Sequence, residues 1–378
     1  MIKFIHCADL HLDAPFQLSG YVSEAIMSDI HRASFESFST LIKDAIQQEV
    51  DFVLISGDVL AADNQTLRTT IFLKKQFQRL KDAGIYVYII LGETGLPLRQ
   101  ISWPDNVIIF NDQVESYQFI TKSGDTVYVH GTSSGHDISY FPTNQVDKSI
   151  HIGMLYGELG RDFDQEALNQ KLYHYWALGG RHKRQLVSKI PHIHYPGNIQ
   201  SYLPEETGRK GYLMVEGDHI DMKVLFVPVQ HIIFGQYEVQ VEDLSKNGLL
   251  KLMEEFKVQH RPDGKGIYQI EFINQQEQLI TPGKLAAVTR LAQQQERHDN
   301  LFVWIDKLTV DQVDTTTLHR EFDAAMIEDD AMFDQAMQPL YHDLEMSRFL
   351  DDYTKIDRVA LIHQGERKLK ERLKSDEN

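Results

Sequence analysis

The sequence is poor in three features that would otherwise define its class. Its single cysteine, Cys7, excludes an intramolecular disulfide and fits a reducing compartment, so a cytoplasmic location is expected. It has no run of about 18 consecutive apolar residues, so no membrane-spanning helix is expected. Positive charge is also scarce, because 38 Lys and Arg residues face 55 Asp and Glu residues, a net charge of −17. That balance argues against capture of nucleic acid by bulk charge, although it leaves room for a local basic groove.

Several common catalytic motifs are absent as well. The sequence has no P-loop, no GxGxxG turn, no CxxC pair and no nucleophile elbow. Its hydrophobic content of 42% and charged content of 25% are those of an ordinary globular protein. The chemistry must therefore be sought in dispersed polar residues.

Four apolar segments each run directly into a loop that carries Gly, Asp or His. They are 2–5, 52–55, 86–91 and 175–178, followed by Asp9 and His11, by Asp58, by Glu93, and by His182 respectively. In open α/β sheets the ligand crevice lies beyond the carboxyl ends of the strands, so these side chains are expected to converge. Carboxylates and imidazoles are the ligands of a hard-to-borderline metal ion.

Each of these residues also has a structural explanation. Asp9 and Asp58 occupy positions where Asp often caps a helix or forms a turn. His11 could be an ordinary loop histidine, and His182 could belong to a solvated basic turn. Their occurrence together, each after a strand, favours the metal-ligand interpretation.

The order of these motifs resembles the calcineurin-like metallophosphoesterases, and within them the bacterial DNA-repair exonucleases of the SbcD/YhaO type. The narrower resemblance rests on the segments 6–16, 175–179 and 194–200 and covers about the first two thirds of the chain. It implies an α/β (α+β) fold, a metallophosphoesterase β-sandwich flanked by helices, with a small α+β capping domain and a helical C-terminal tail. The expected domains are 1–230 for the nuclease-like part, 231–312 for the cap and 313–378 for a partner-docking region.

The family's two divalent ions are usually manganese in this branch. The resemblance implies that Asp9, His11, Asp58 and His182 hold the first ion, with Asp58 shared with the second. The second ion's own ligand positions read Glu93, Tyr156 and Gly180, and the catalytic His position reads Thr94. Two-ion hydrolysis uses both ions to clamp the attacking and leaving oxygens. One Mn²⁺ is therefore expected rather than two, with weakened or absent catalysis.

A rearranged second site is the alternative. Glu93 is a carboxylate that could ligate a hard ion, and His130, His136 or His151 could be recruited to help. Tyr156 is a poor ligand, because its phenol has an ordinary pKa of about 10. For phosphate or DNA contact the nearby cations are Arg181, Lys183 and Arg184.

Three functions are compatible with these residues. The first is a catalytically impaired exonuclease subunit of a DNA repair or processing complex. Its partner would be an ABC-type coiled-coil ATPase of the SbcC/YhaN kind, to which the C-terminal tail would bind. The second is an active Mn-dependent DNA exonuclease or phosphodiesterase that uses Glu93. The third is a non-catalytic module that binds phosphate or a nucleotide. The resemblance also raises a homodimer through the core helices, and no membrane partner is expected.

Hydrophobic periodicity supplies the remaining expectations. It predicts helices at about 28–48 and 65–83, each between two strands. A hairpin at 211–227 closes the core. In the cap, a helix near 242–256 precedes strands at 266–273 and 301–308.

Overall fold

The computed structural model describes residues 1–16, 18, 22–61, 66–135, 137–145, 148–274, 280–296 and 301–310. The predicted helical tail at 313–378 and His136 lie outside the described residues.

Strands and helices alternate in the first part of the chain, as the periodicity predicts. They are β1 (Ile2–Ala8), α1 (Glu24–Gln47), β2 (Phe52–Ser56), α2 (Leu67–Asp82), β3 (Tyr86–Ile90) and β4 (Val107–Ile109). The four strands are parallel neighbours in this order. Ser23 caps α1 and Thr66 caps α2, each by accepting a backbone N–H from the first turn.

The next part of the chain forms a second sheet. Its elements are β5 (Glu115–Ile120), β6 (Thr126–Gly131), β7 (Ile150–Tyr156), α3 (Gln165–Gln170), β8 (Tyr175–Gly179), β9 (Gln185–Lys189) and β10 (His192–Tyr195). The strand order is β5-β6-β7-β8-β10-β9. The chain then returns to the first sheet through the predicted hairpin of β11 (Gly211–Gly217) and β12 (Met222–Pro228). The first sheet thus has the order β12-β11-β1-β2-β3-β4.

The two sheets pack face to face over an apolar layer. Phe4, Phe52 and Tyr88 of the first sheet contribute to it together with Val129 and Tyr175 of the second. The opposite face of the first sheet is covered by α1 and α2, so its central strands β1 and β2 are buried on both sides. This arrangement confirms the predicted α/β class and the β-sandwich flanked by helices.

The last described elements form the predicted α+β pattern. They are β13 (Ile232–Val241), α4 (Lys246–His260), β14 (Lys265–Asn274), α5 (Pro282–Gln294) and β15 (Val303–Val310). The strands form a sheet in the order β13-β14-β15.

The chain divides into two compact units. The first comprises Met1–Val239, Leu250–Glu271 and Thr289–Thr309, and the second includes Gln240–Leu249 and Phe272–Val288. The boundaries expected from the sequence, at 230 and 312, stay predictions. Within the described ranges, no helix is both long and apolar enough to cross a membrane.

Candidate metal centre

Three predicted ligands meet beyond the carboxyl ends of β1 and β2. Asp9, His11 and Asp58 each offer a ligand atom, and these atoms all lie within 4.8 Å of one another. Asp9 and Asp58 are buried, whereas His11 is half-buried. The parallel pairing of β1 and β2 explains the convergence, because it places both strand ends at one edge of the sheet.

The backbone at these ligands is strained. Asp9, His11 and Asp58 have φ angles of 49°, 40° and 36°, in the left-handed region that residues other than glycine rarely adopt. The N–H of His11 donates to the carbonyl of Asp58 over 3.0 Å, which ties the two ligand loops together. Strain of this kind costs about 1–3 kcal/mol per residue and concentrates at functional sites.

His182, the fourth predicted ligand, joins the cluster through His11. Their Nε2 atoms are 3.0 Å apart. Two nitrogens bound to one ion at about 2.1 Å and at right angles would have nearly that separation. The Nδ1 atom of His182 is hydrogen-bonded to Glu206 on the other side of the ring. The donor set of two carboxylates and two imidazoles therefore fits a divalent ion of the hard-to-borderline class.

The protonation of the cluster reflects its burial. Burial raises the pKa of Asp9 to about 7, although the backbone N–H of Gly180, 2.9 Å from its carboxylate, works in the opposite direction. Burial lowers the pKa of His11 to about 4, so its imidazole is neutral at pH 7. Burial also disfavours the charged form of His182, but the hydrogen bond and charge of Glu206 outweigh it and raise the pKa.

Tyr156 and Thr94 both form hydrogen bonds with Asp58. In the resemblance, Tyr156 stands at a ligand position of the second ion and Thr94 at the position of the catalytic His. The hydroxyl of Tyr156 donates to Oδ2 of Asp58 over 2.6 Å. The backbone N–H and the hydroxyl of Thr94 each lie 3.0 Å from Oδ1. Burial and the hydrogen bond to Asp58 raise the pKa of Tyr156, so its phenol is protonated and acts as a donor, not as an anionic ligand.

The ring of Tyr156 fits because three neighbours are glycines. A Cβ atom built at Gly57, Gly92 or Gly180 would lie 2.1, 2.7 or 3.2 Å from a ring carbon of Tyr156. Gly180 is itself one of the positions at which the resemblance implies a second-ion ligand. The tyrosine ring therefore occupies space that side chains at these three glycine positions would enter.

A cleft of about 590 Å³ opens over the cluster. It is lined by His11, Asp58 and His182 of the predicted ligands and by Glu93, Thr132, Tyr156, Glu158, Arg161, Asp162 and Tyr202, among others. Glu93 is exposed in this cleft. His130 and His151 bond to one another over 3.0 Å, as part of a chain with Ser116 and Ser149, and are not among the residues that line the cleft.

The predicted phosphate-binding cations lie beside the cleft rather than in its lining. Arg181 donates to Gln185 over 2.6 Å. Arg184 stacks over the ring of Phe226 at 3.9 Å, and Lys183 is exposed. The described lining contains Arg161 instead, which pairs with Glu158 at 3.2 Å.

Sequence reasoning missed Arg161, Tyr202 and Glu206. Tyr202 lies over the two histidines predicted as ligands, with ring centroids 4.9 Å from His11 and 5.6 Å from His182. These residues lie in loops, where neither periodicity nor a spacing motif marks a side chain. The nearest signal was the segment 194–200, which directly precedes Tyr202 and Glu206.

Comparison with known proteins identifies a family and several related proteins. The family model for the calcineurin-like phosphoesterases matches residues 2–235. The metallophosphoesterase YhaO of Bacillus subtilis is 33% identical over 345 residues, which cover 84% of each chain. The DNA double-strand break repair protein Mre11 of Methanocaldococcus jannaschii is 24% identical over 268 residues, which cover 64% of this chain and 70% of that protein. A dimetal phosphatase from Danio rerio overlaps 60% of this chain and 98% of its own, with 10% identity and a TM-score of 0.36.

Proposed function

The chain belongs to the calcineurin-like phosphoesterase family, and we propose that it is a nuclease-type subunit for DNA processing with one Mn²⁺ site and impaired catalysis. The observation that carries the proposal is the engagement of Asp58 by Tyr156 at 2.6 Å. The resemblance implies that this carboxylate would be a ligand of both ions in a two-ion site. Here a neutral phenol stands beside it instead.

The proposed ion site uses residues that the structure brings together. Asp9, His11, Asp58 and His182 would hold the ion, which would supply Lewis-acid polarisation of a phosphate oxygen. Asp9 is kept in place by the N–H groups of Gly180 and Arg181, at 2.9 and 3.1 Å. A second ion would add further charge neutralisation. Its loss is expected to cost at least as much as one missing electrostatic donor, about 10²–10³ in rate.

The missing proton donor adds to this loss. Thr94 stands where the resemblance places the catalytic His, and a threonine hydroxyl has no titration near neutral pH. Its hydroxyl lies 2.7 Å from the carbonyl oxygen of Leu60 and 3.0 Å from Asp58. These contacts support a structural role for Thr94.

DNA as the substrate class is supported by the relatives. Mre11 is named as a DNA double-strand break repair protein. The cations for backbone contact would be Arg181, Lys183 and Arg184, with Arg161 added on the cleft wall. The ATPase partner of the SbcC/YhaN kind, docking by 313–378, and the cytoplasmic location belong to the same proposal.

One observation favours a second candidate, an active Mn-dependent phosphodiesterase. Glu93 lines the same cleft as Asp58 and carries the carboxylate that a rebuilt second site would need. This candidate requires Tyr156 to release Asp58 when a second ion binds.

A single experiment separates the two. Mn²⁺-dependent cleavage of a labelled DNA strand is measured for the purified chain, for Asp58→Asn and for the exposed control Asp112→Asn, alongside bound Mn²⁺ per chain. If the proposal is correct, the purified chain and Asp112→Asn bind about one Mn²⁺ per chain and Asp58→Asn binds less. None of the three proteins then cleaves the DNA at more than a low rate. Rapid cleavage that depends on Asp58, with two bound ions, would establish the second candidate. Phosphate or nucleotide binding without any Mn²⁺ would favour a non-catalytic module.

A further inference from the structure

A carboxylate outside the predicted ligand set faces His182. Glu206 lies in the loop between β10 and β11, and its side chain is 9% exposed. One carboxylate oxygen is hydrogen-bonded to Nδ1 of His182. The other accepts the side-chain amide of Asn198 at 2.9 Å and the backbone N–H of Tyr202 at 3.1 Å. The carboxylate is thus held by donors on both of its oxygens.

This contact fixes which ring nitrogen of a neutral His182 carries the proton. In its ionised form the Glu206 carboxylate can only accept the hydrogen bond that it shares with His182. Nδ1 of His182 must therefore be protonated, which leaves the lone pair of a neutral ring on Nε2. Nε2 is the atom that lies 3.0 Å from Nε2 of His11, on the ion side of the ring.

The same segment also holds the backbone of His182. The ammonium group of Lys210, which is 6% exposed, donates to the carbonyl oxygen of His182 over 2.9 Å. Ring and backbone are therefore fixed from two points only four residues apart in the chain. Both contacts use groups of His182 other than Nε2.

We propose that Glu206 is a positioning residue for metal binding, which holds the neutral His182 ring with its Nε2 lone pair towards the ion. The inference rests on the proposed one-ion site and names the part of the chain that prepares it. Carboxylate partners of this kind orient metal-binding histidines, and their loss typically weakens metal affinity by about 10–100-fold. Glu206 acts through His182 and is not itself a ligand.

The test compares Glu206→Gln with Glu205→Gln, the same change at an exposed neighbouring carboxylate. Mn²⁺ affinity is measured by titration, and the His182 tautomer is measured by ¹⁵N NMR of the metal-free protein at about pH 9, above the ordinary histidine pKa of about 6.5. An amide offers one acceptor oxygen to three donors, so Glu206→Gln is expected to weaken Mn²⁺ binding by about 10–100-fold. It is also expected to move the proton of His182 towards Nε2. Glu205→Gln should change neither quantity.

The outcomes are separable. Mn²⁺ affinity within about twofold of the Glu205→Gln control, or an unchanged tautomer, would overturn the role of Glu206. If the unsubstituted chain binds no Mn²⁺, the proposed one-ion site fails, and the tautomer of the metal-free protein still decides whether Glu206 orients His182. Glu206→Asp, which keeps the charge on a shorter side chain, should lie between the native protein and Glu206→Gln in both measurements. This variant decides the question if Glu206→Gln does not fold.

Discussion

The hydroxyl of Tyr156 donates a hydrogen bond to Oδ2 of Asp58 over 2.6 Å. Asp58 is 4% exposed, so its carboxylate depends on nearby donors or cations. Thr94 donates to the other oxygen from its backbone N–H at 3.0 Å. Tyr156 and Thr94 thus satisfy both oxygens of the Asp58 carboxylate by hydrogen bonding.

Tyr156→Phe tests this relationship in its simplest form. The substitution keeps the ring and removes the donor, and hydrogen bonds to charged groups contribute about 1.5–3 kcal/mol. We expect the free energy of unfolding without metal to fall by about that amount, and Mn²⁺ to restore part of it by neutralising Asp58. Chemical denaturation with and without Mn²⁺ measures both effects. Tyr212→Phe is the matched control, since Tyr212 donates to Asp44 over 3.1 Å away from the cleft, and Mn²⁺ should not alter its loss. Equal responses of the two variants to Mn²⁺ would contradict the assignment.

Gly57→Ala tests the packing of the Tyr156 ring. The new Cβ would lie 2.1 Å from Cδ2 of Tyr156, and Gly57 has a φ of 94°. Gly84→Ala is the control for backbone strain alone, because Gly84 has a φ of 72° and no atom within 4 Å of its built Cβ. Strain costs about 1–2 kcal/mol, and overpacking adds about 1–3 kcal/mol. The free energy of unfolding should therefore fall further in Gly57→Ala than in Gly84→Ala. The excess should disappear when Tyr156 is also replaced by Ala; an excess that persists would exclude the ring as its cause.

Mn²⁺ affinity should depend on pH near neutrality. Burial raises the pKa of Asp9 to about 7, and Glu206 raises that of His182 against the effect of burial. Protons compete with the ion for both groups, so affinity should fall by at least about tenfold per pH unit as the pH drops below 7. His11 does not contribute, because burial lowers its pKa to about 4. Titrations between about pH 5.5 and 8.5 measure the slope. Asp9→Asn should bind more weakly with a shallower slope, and an affinity that stays constant across this range would refute the prediction.

Glu296→Gln should destabilise the first compact unit. Glu296 and Lys257 are both 1% exposed and pair at 3.2 Å, and Arg261 binds the same carboxylate at 2.9 Å. Removing one partner of a buried pair costs about 3–5 kcal/mol, because the other charge stays buried. Glu255→Gln, which breaks the exposed pair with Lys251 at 3.8 Å, should cost less than about 1 kcal/mol. Chemical denaturation of the full chain compares them. Similar losses of unfolding free energy in the two variants would show that the buried pair contributes no more to stability than the exposed pair.

Much of the sandwich could be predicted, because its elements carry strong apolar patterns. The helix expected at 65–83 spans Leu67–Asp82, with Thr66 as its cap. The helix expected at 28–48 spans Glu24–Gln47 and begins four residues earlier, where the hydroxyl of Ser23 accepts the N–H of Ile26. Apolar spacing locates the buried face of a helix, whereas its first turn depends on a capping group that the spacing does not reveal.

The candidate site was predictable only in part. Asp9, His11, Asp58 and His182 could be predicted because each follows a strand. The parallel pairing of β1 and β2 places the first three at one edge of the first sheet, whereas His182 follows β8 of the second sheet. Glu206 could not, because its contact with His182 joins two loops that are 24 residues apart. The position of the Tyr156 ring could not be predicted for a similar reason. The sequence shows a tyrosine at that position, but only the folded chain shows its ring against Gly57, Gly92 and Gly180.

The fit of Tyr156 among these glycines also makes the residues at these positions depend on one another. A side chain at Gly180 would approach the Tyr156 ring to 3.2 Å on a backbone whose φ of 93° already disfavours it. A smaller residue at Tyr156, introduced first, would leave a void beside Asp58 and take away its hydroxyl donor. Either substitution on its own is therefore expected to lower the stability of the chain. Under the proposed function, building a second ion site would require both positions to change together.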